Sequence, residues 1–155
     1  MIRGITFEIP NNPGQYLQHI LSCVNMSQLN WYNAGGEAYI IKNGEFGASL
    51  FDENERFIDG KILQKRLSDN LYYLIFTDLK GFPRNVRAEN VETYEEFVMS
   101  KCTFVILIVD CVNVTIYSKD MAQIQLIFEQ ANGAGYENIV VIQDESDARN
   151  RLSVW

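Results

Sequence analysis

Thr103-Phe-Val-Ile-Leu-Ile-Val109, then Asp110-Cys-Val-Asn113, then Val114-Thr-Ile-Tyr117 is the stretch that decides the fold of this chain. An uncharged apolar run of this length, broken by a short polar stretch and resumed at once, reads as a buried strand, a tight reversal and a second strand. Behind it, Ile124, Ile127, Phe128 and Ala131 fall at helical spacing. They predict an amphipathic helix over about 121–131, with Asp120 and Gln123 as a cap pair and Gly133 and Gly135 closing it. Ile139-Val-Val-Ile142 follows as a strand, so the back of the chain reads strand, strand, helix, strand.

Toward the front, Ile5, Phe7 and Ile9 alternate with Thr6 and Glu8, and Pro10 ends that strand. Asn11 or Asn12 is then placed to cap a helix beginning at Pro13, with Leu17, Ile20, Leu21 and Val24 as its stripe. After the Gly35-Gly36 break, residues 37–42 and 45–51 read as strands joined at Asn43-Gly44, a pair suited to a turn in which both central residues take positive φ. Asp59 caps a helix that turns Ile62, Leu63 and Leu67 inward, and residues 71–76 form a nearly all-apolar strand. Residues 78–90 read as a long loop, followed by a helix over about 92–100 with Thr93 and Glu96 as a capping box. Together these predict an α+β chain, one domain over 1–155, with a mixed or antiparallel sheet of about seven strands and about four helices. The repeated order strand, helix, strand, strand, helix, strand suggests two ferredoxin-like (split βαβ) halves sharing that sheet.

The 155 residues carry 20 acidic and 13 basic side chains, a formal net charge of −7, and about −6 of it falls after residue 90. A chain without a basic stripe is a poor ligand for phosphate backbones, so nucleic acid is disfavoured and a basic protein partner suits the field better. No segment reaches the roughly 18 apolar residues of a membrane span, and the start lacks the pattern of a secretion signal. Three cysteines at wide spacing make no disulfide framework or zinc set, and the expected setting is the cytoplasm. No phosphate-binding glycine loop or other cofactor motif is present, so no cofactor is expected.

The sequences Arg3-Gly-Ile-Thr-Phe-Glu-Ile-Pro10, Thr93-Tyr-Glu-Glu-Phe97, Val109-Asp-Cys111, Thr115-Ile-Tyr-Ser-Lys-Asp120, Gly135-Tyr-Glu-Asn-Ile139 and Arg151-Leu-Ser-Val-Trp155 resemble, over nearly the full length, a family of small bacterial proteins catalogued as a domain of unknown function. The resemblance implies a bacterial, intracellular origin and carries no catalytic or binding residue with it.

Chemistry-bearing residues are sparse. His19 and Cys23 stand four apart on the first helix, but two ligands do not make a metal site, and His19 falls opposite the apolar stripe. Cys111 sits in the reversal beside Asp110, whose carboxylate disfavours a thiolate; Asp110 and Asn113 there suit a structural turn. Lys80, Arg84 and Arg87 fall in the 78–90 segment, which reads as an anion site or, more simply, as a solvated loop. Of Trp31-Tyr32, burial of at least one is expected.

The densest functional signal is the C-terminal stretch: Asp144, Glu145, Asp147, Arg149, Arg151 and Trp155 form the candidate binding set. Its structural counterpart is a short helix held by an Asp147–Arg151 pair with Leu152 and Trp155 docked on the core. The resulting expectation is a non-enzymatic, neutralising or regulatory protein-binding module with an acidic face. The alternative is a small-ligand protein or enzyme whose pocket combines distant residues such as Asp78, Arg84, Asp110 and Arg149.

Overall fold

Every strand among the described residues joins one antiparallel sheet, and the central strand explains why. The computed structural model describes residues 1–144, 147 and 149–154. In chain order the elements are β1 (Ile2–Glu8), α1 (Tyr16–Leu21), a single 3-10 turn (Met26–Gln28), β2 (Leu29–Lys42), β3 (Glu45–Ser49), β4 (Phe57–Asp59), α2 (Gly60–Asp69), β5 (Tyr72–Pro83), α3 (Tyr94–Met99), β6 (Phe104–Val109), β7 (Asn113–Ser118), α4 (Met121–Gly133) and β8 (Glu137–Gln143). The sheet runs β3-β2-β5-β6-β7-β1-β8, with β4 added beside the first part of β2. This is the α+β, single-domain architecture expected, with eight strands and four helices.

Phe104 through Ile108 of β6 are all completely buried. Side chains alternate between faces along a strand, so five consecutive buried residues require cover on both sides of the sheet. Phe104, Ile106 and Ile108 pack with Leu17 and Leu21 of α1, Leu63 and Leu67 of α2, and Ile124 and Ile127 of α4. Val105 and Leu107 face the other way, into Phe82, Val91, Phe97, Tyr117 and Leu152. The second face is therefore roofed by α3, the chain around it and the C-terminal segment.

Local signals built the ends of elements as their chemistry dictates. Asp59 accepts from Lys61 N at the start of α2, Thr93 from Glu96 N at α3, and Asp120 from Ala122 N at α4. Asn43 and Gly44 both take positive φ, 55° and 76°, in the β2–β3 turn. The first helix departs from expectation: it starts at Tyr16, and no side chain caps it. Asn11 accepts instead from Tyr73 and Asn12 from Tyr16.

Two strands are longer than their apolar patterns. β2 continues through Gly35, which takes φ 114° where the pairing with β5 slips by a residue, so the Gly-Gly break is a bulge inside a strand. A second slip falls between Glu37 and Ala38, and β5 runs on to Pro83, taking Asp78 and Lys80 into the sheet. The 78–90 loop thus shrinks to the residues beyond Pro83.

The two ferredoxin-like halves are not formed. β1 lies between β7 and β8 instead of beside β5, which leaves one split βαβ unit, β7–α4–β8, closed around β1. Gly4 allows this insertion. A Cβ there would lie 1.9 Å from the backbone oxygen of Ile116 in β7, and backbone cannot yield in mid-sheet. Gly4→Ala is expected to lower unfolding stability by more than about 2 kcal/mol, an overpacking cost read as a drop in the urea midpoint. An unchanged midpoint would refute this account of β1.

Candidate functional site: the roof of the second sheet face

The roof brings together most of the sequence-predicted set. Tyr94 N donates to Asn150 O at 2.9 Å and Leu152 N to Glu92 O at 2.8 Å, so the C-terminal segment runs beside the start of α3 as a strap. Arg151 bridges to Thr93, Leu152 is fully buried, and Val154 N donates to a carboxylate oxygen of Asp78 at 3.3 Å. Among the described residues this strap contains no helix. The pairing with α3 supplies the backbone hydrogen bonds a helix would have made internally. Glu145 and Trp155, both in the candidate set, lie outside the described residues.

The strap is anchored at Arg3, which the sequence did not single out. Its Nε donates to Asp144 at 2.7 Å and its Nη1 to Asp147 at 3.3 Å, while the guanidinium carbon sits 3.9 Å from the centroid of the Tyr94 ring. Asp147 also accepts from Tyr117 Oη at 2.9 Å and from Arg149 N at 3.0 Å. The carboxylate expected to pair with Arg151 is therefore held by Arg3, 144 residues away. The hydrogen bond from Arg3 keeps Asp144 below the usual carboxylate range, and the same contact raises Arg3. Burial, with Asp147 adding to it, pushes the Tyr117 phenol up.

Beneath the strap lies a fully buried ion pair, Asp78 with Lys80, two residues apart on β5 and so on one face. Burial pushes Asp78 up against the pull of Lys80. The nearby Cys102 thiol, buried against the backbone of Phe104, is pushed up to about 12 and stays protonated at neutral pH.

The remaining reactive groups are dispersed. His19 Nδ1 is 2.9 Å from Tyr136 Oη, and Cys23 turns to Gln130, so helix neighbours His19 and Cys23 have separate partners. Cys111 receives a hydrogen bond from Tyr73 at 3.3 Å, in a turn where Asp110 and Cys111 both take positive φ and Asn113 donates to Val109 O. Of the distant-pocket set, Asp78 is buried in β5, Arg84 pairs with Asp59 at 2.8 Å, Asp110 lies in the β6–β7 turn and Arg149 in the strap. No group of three or more metal-ligating side chains occurs among the described residues, and no described helix is long and apolar enough to cross a membrane. Trp31 is fully buried, its indole donating to Met26 O at 3.1 Å, while Tyr32 is half-buried.

The outer side of the roof is acidic. Glu89, Glu92, Glu95 and Glu96 are exposed and make no ion pair among the described residues; Asn90 bonds Glu92, and Glu96 closes the capping box on Glu92 N. Val98 and Met99 stand beside them, 52% and 82% exposed. In the sequence only Glu96 stands out, as the capping partner of Thr93; the structure shows all four exposed along residues 89–96.

Fold and site together define an open antiparallel α+β sheet protein whose polar features form a strapped acidic roof without a convergent reactive set among the described residues. The chain belongs to the family described as "Protein of unknown function (DUF2691)", which it matches over residues 2–153. It is similar to "Uncharacterized protein YncE" of Bacillus subtilis (strain 168), with 36% identity over 154 residues covering 99% of this chain and 100% of that protein. No solved structure matches the chain significantly.

Two outcomes check the roof. Lys80→Met alone leaves Asp78 buried beside an apolar partner and is expected to cost about 3–5 kcal/mol, whereas Asp78→Leu with Lys80→Met recovers most of that loss. Equal losses in the single and double variants would show that Lys80 contributes by packing instead of charge. For Asp144, a lowered folded-state pKa means stabilisation that is present above the ordinary carboxylate pKa and lost as pH falls through the lowered one. The difference in urea midpoint between the native chain and Asp144→Asn should accordingly be largest near neutrality and shrink toward zero as pH drops below about 4.

Proposed function

We propose that this protein is a non-enzymatic binding module, acting in the cytoplasm, whose acidic roof docks a basic protein and thereby neutralises or regulates it. The observation that carries this reading is the ridge of four exposed glutamates flanked by exposed Val98 and Met99. Like charges with no ion pair among the described residues repel one another, and a cationic partner relieves that repulsion while its apolar side chains cover the two hydrophobic residues. In this reading Asp144 and Asp147 orient the roof through Arg3, Arg149 and Arg151 contribute its rim, and Glu145 and Trp155 complete the binding set. The charge excess after residue 90 adds long-range attraction.

The test is capture from the native bacterial lysate at about 50 mM and about 500 mM salt, since pairing across a surface weakens as the screening length shortens. A basic protein is expected to be retained at low salt, released at high salt, and lost when Glu92, Glu95 and Glu96 are all changed to Gln. Glutamine keeps the capping box, so loss of the partner reports charge and not unfolding. Recovery of nothing at low salt, or undiminished capture by the triple variant, counts against the proposal.

A further inference from the structure

A cleft of about 320 Å³ opens between β4 and the chain just after β5. Trp31, Ile58, Phe57 and Ala88 line its apolar part. Trp31, Ile58 and Ala88 belong to the buried core, but Phe57 is 55% exposed on a three-residue strand. An apolar cleft of this size with few polar groups at its mouth is the usual form of a small-ligand site.

The polar groups at the mouth sort by elimination. Asn30 donates its amide hydrogens to the backbone oxygens of Arg84 and Val86, at 2.9 and 3.2 Å. Asp59 caps α2 and pairs with Arg84 at 2.8 Å, so its carboxylate and the Arg84 guanidinium satisfy each other. Lys80, the remaining cation of the 80–87 segment, is buried against Asp78. Among the polar groups at this mouth, Arg87 keeps an exposed guanidinium with no ion pair to a described residue, and it rests 5.7 Å from the centroid of the Phe57 ring. A guanidinium beside an aromatic wall presents a planar fork of donors to an incoming anion.

We propose that this cleft binds a small carboxylate with a flat apolar body: the carboxylate on Arg87, the body against the exposed ring of Phe57. The charge and the shape of the site both point to that class. In a chain of net charge −7 an anion is repelled at long range, so only one that also buries apolar surface gains enough to stay. A cationic ligand would meet Arg87, and a fully polar anion would leave the apolar wall uncovered. The site shares no residue with the acidic ridge, so its test is independent of the docking proposal.

The probe is 2-naphthoate, compared with the uncharged 2-naphthalenemethanol by calorimetry and by amide shifts in a ¹⁵N-labelled sample of the full chain. Naphthoate is expected to saturate, to shift amides at Phe57, Ile58 and Ala88, and to bind at least about tenfold more tightly than the alcohol, as a charge-assisted bidentate contact implies. Arg87→Gln, at an exposed position, should erase that preference while leaving the alcohol's affinity unchanged; Phe57→Ala should weaken both ligands. The proposal is overturned by absence of saturable binding, by equal affinities for the two probes, by a preference that survives in Arg87→Gln, or by shifts confined to another part of the fold.

Discussion

The structure depends on one constraint: β6 is apolar on both faces, and a strand of that kind is stable only between two covering layers. The first layer follows from three helices with ordinary amphipathic stripes. The second has only the six residues of α3, so irregular chain must supply the rest of the cover. Irregular chain lacks an internal hydrogen-bond ladder, and each of its buried amides needs a partner elsewhere. The backbone pairing of the strap with residues 92–94, the contact of Val154 with Asp78 and the grip of Arg3 on Asp144 and Asp147 meet that need.

This division separates what the sequence discloses from what it conceals. The caps at Asp59, Thr93 and Asp120 and the turn at Asn43-Gly44 are decided within four residues, so reading them locally is enough. The lengths of β2 and β5 are decided by where two strands slip past one another, and no local pattern marks Gly35 as a bulge instead of a break. Strand order is less legible still. A strand such as β1, with Ile5 and Phe7 on one side, suits several positions in an antiparallel sheet. Gly4 selects one by permitting close approach to β7, a property visible only beside Ile116.

The candidate site divides in the same way. Asp144 and Asp147 stand out in the sequence as charges near a chain end, and the roof does contain them, but their partner is the third residue of the chain. Lys80 and Arg84 stand out as a basic cluster, and each is matched by a carboxylate, Asp78 or Asp59, that β-sheet geometry brings alongside. Opposite charges placed on facing or same-face positions of a compact fold find each other first. Among the described charges left without an ion pair are those the topology strands on the two proposed surfaces, Glu89, Glu92, Glu95 and Glu96 on the roof and Arg87 at the cleft.

The two stranded sets differ in how they would act. Four neighbouring glutamates add their fields, and within a screening length of about 8 Å that sum steers encounter before any detailed fit is made, which favours a large, flexible, cationic surface. Arg87 is single and surrounded by negative net charge, so its field falls off within its own cleft. It acts at contact distance, where the orientation of the guanidinium and the apolar wall beside it decide what stays. On the two proposals together, one partner would be read by charge and the other by shape. The strap that fixes the ridge and the loop that carries Arg87 both emerge from the single requirement that the second face of β6 be covered.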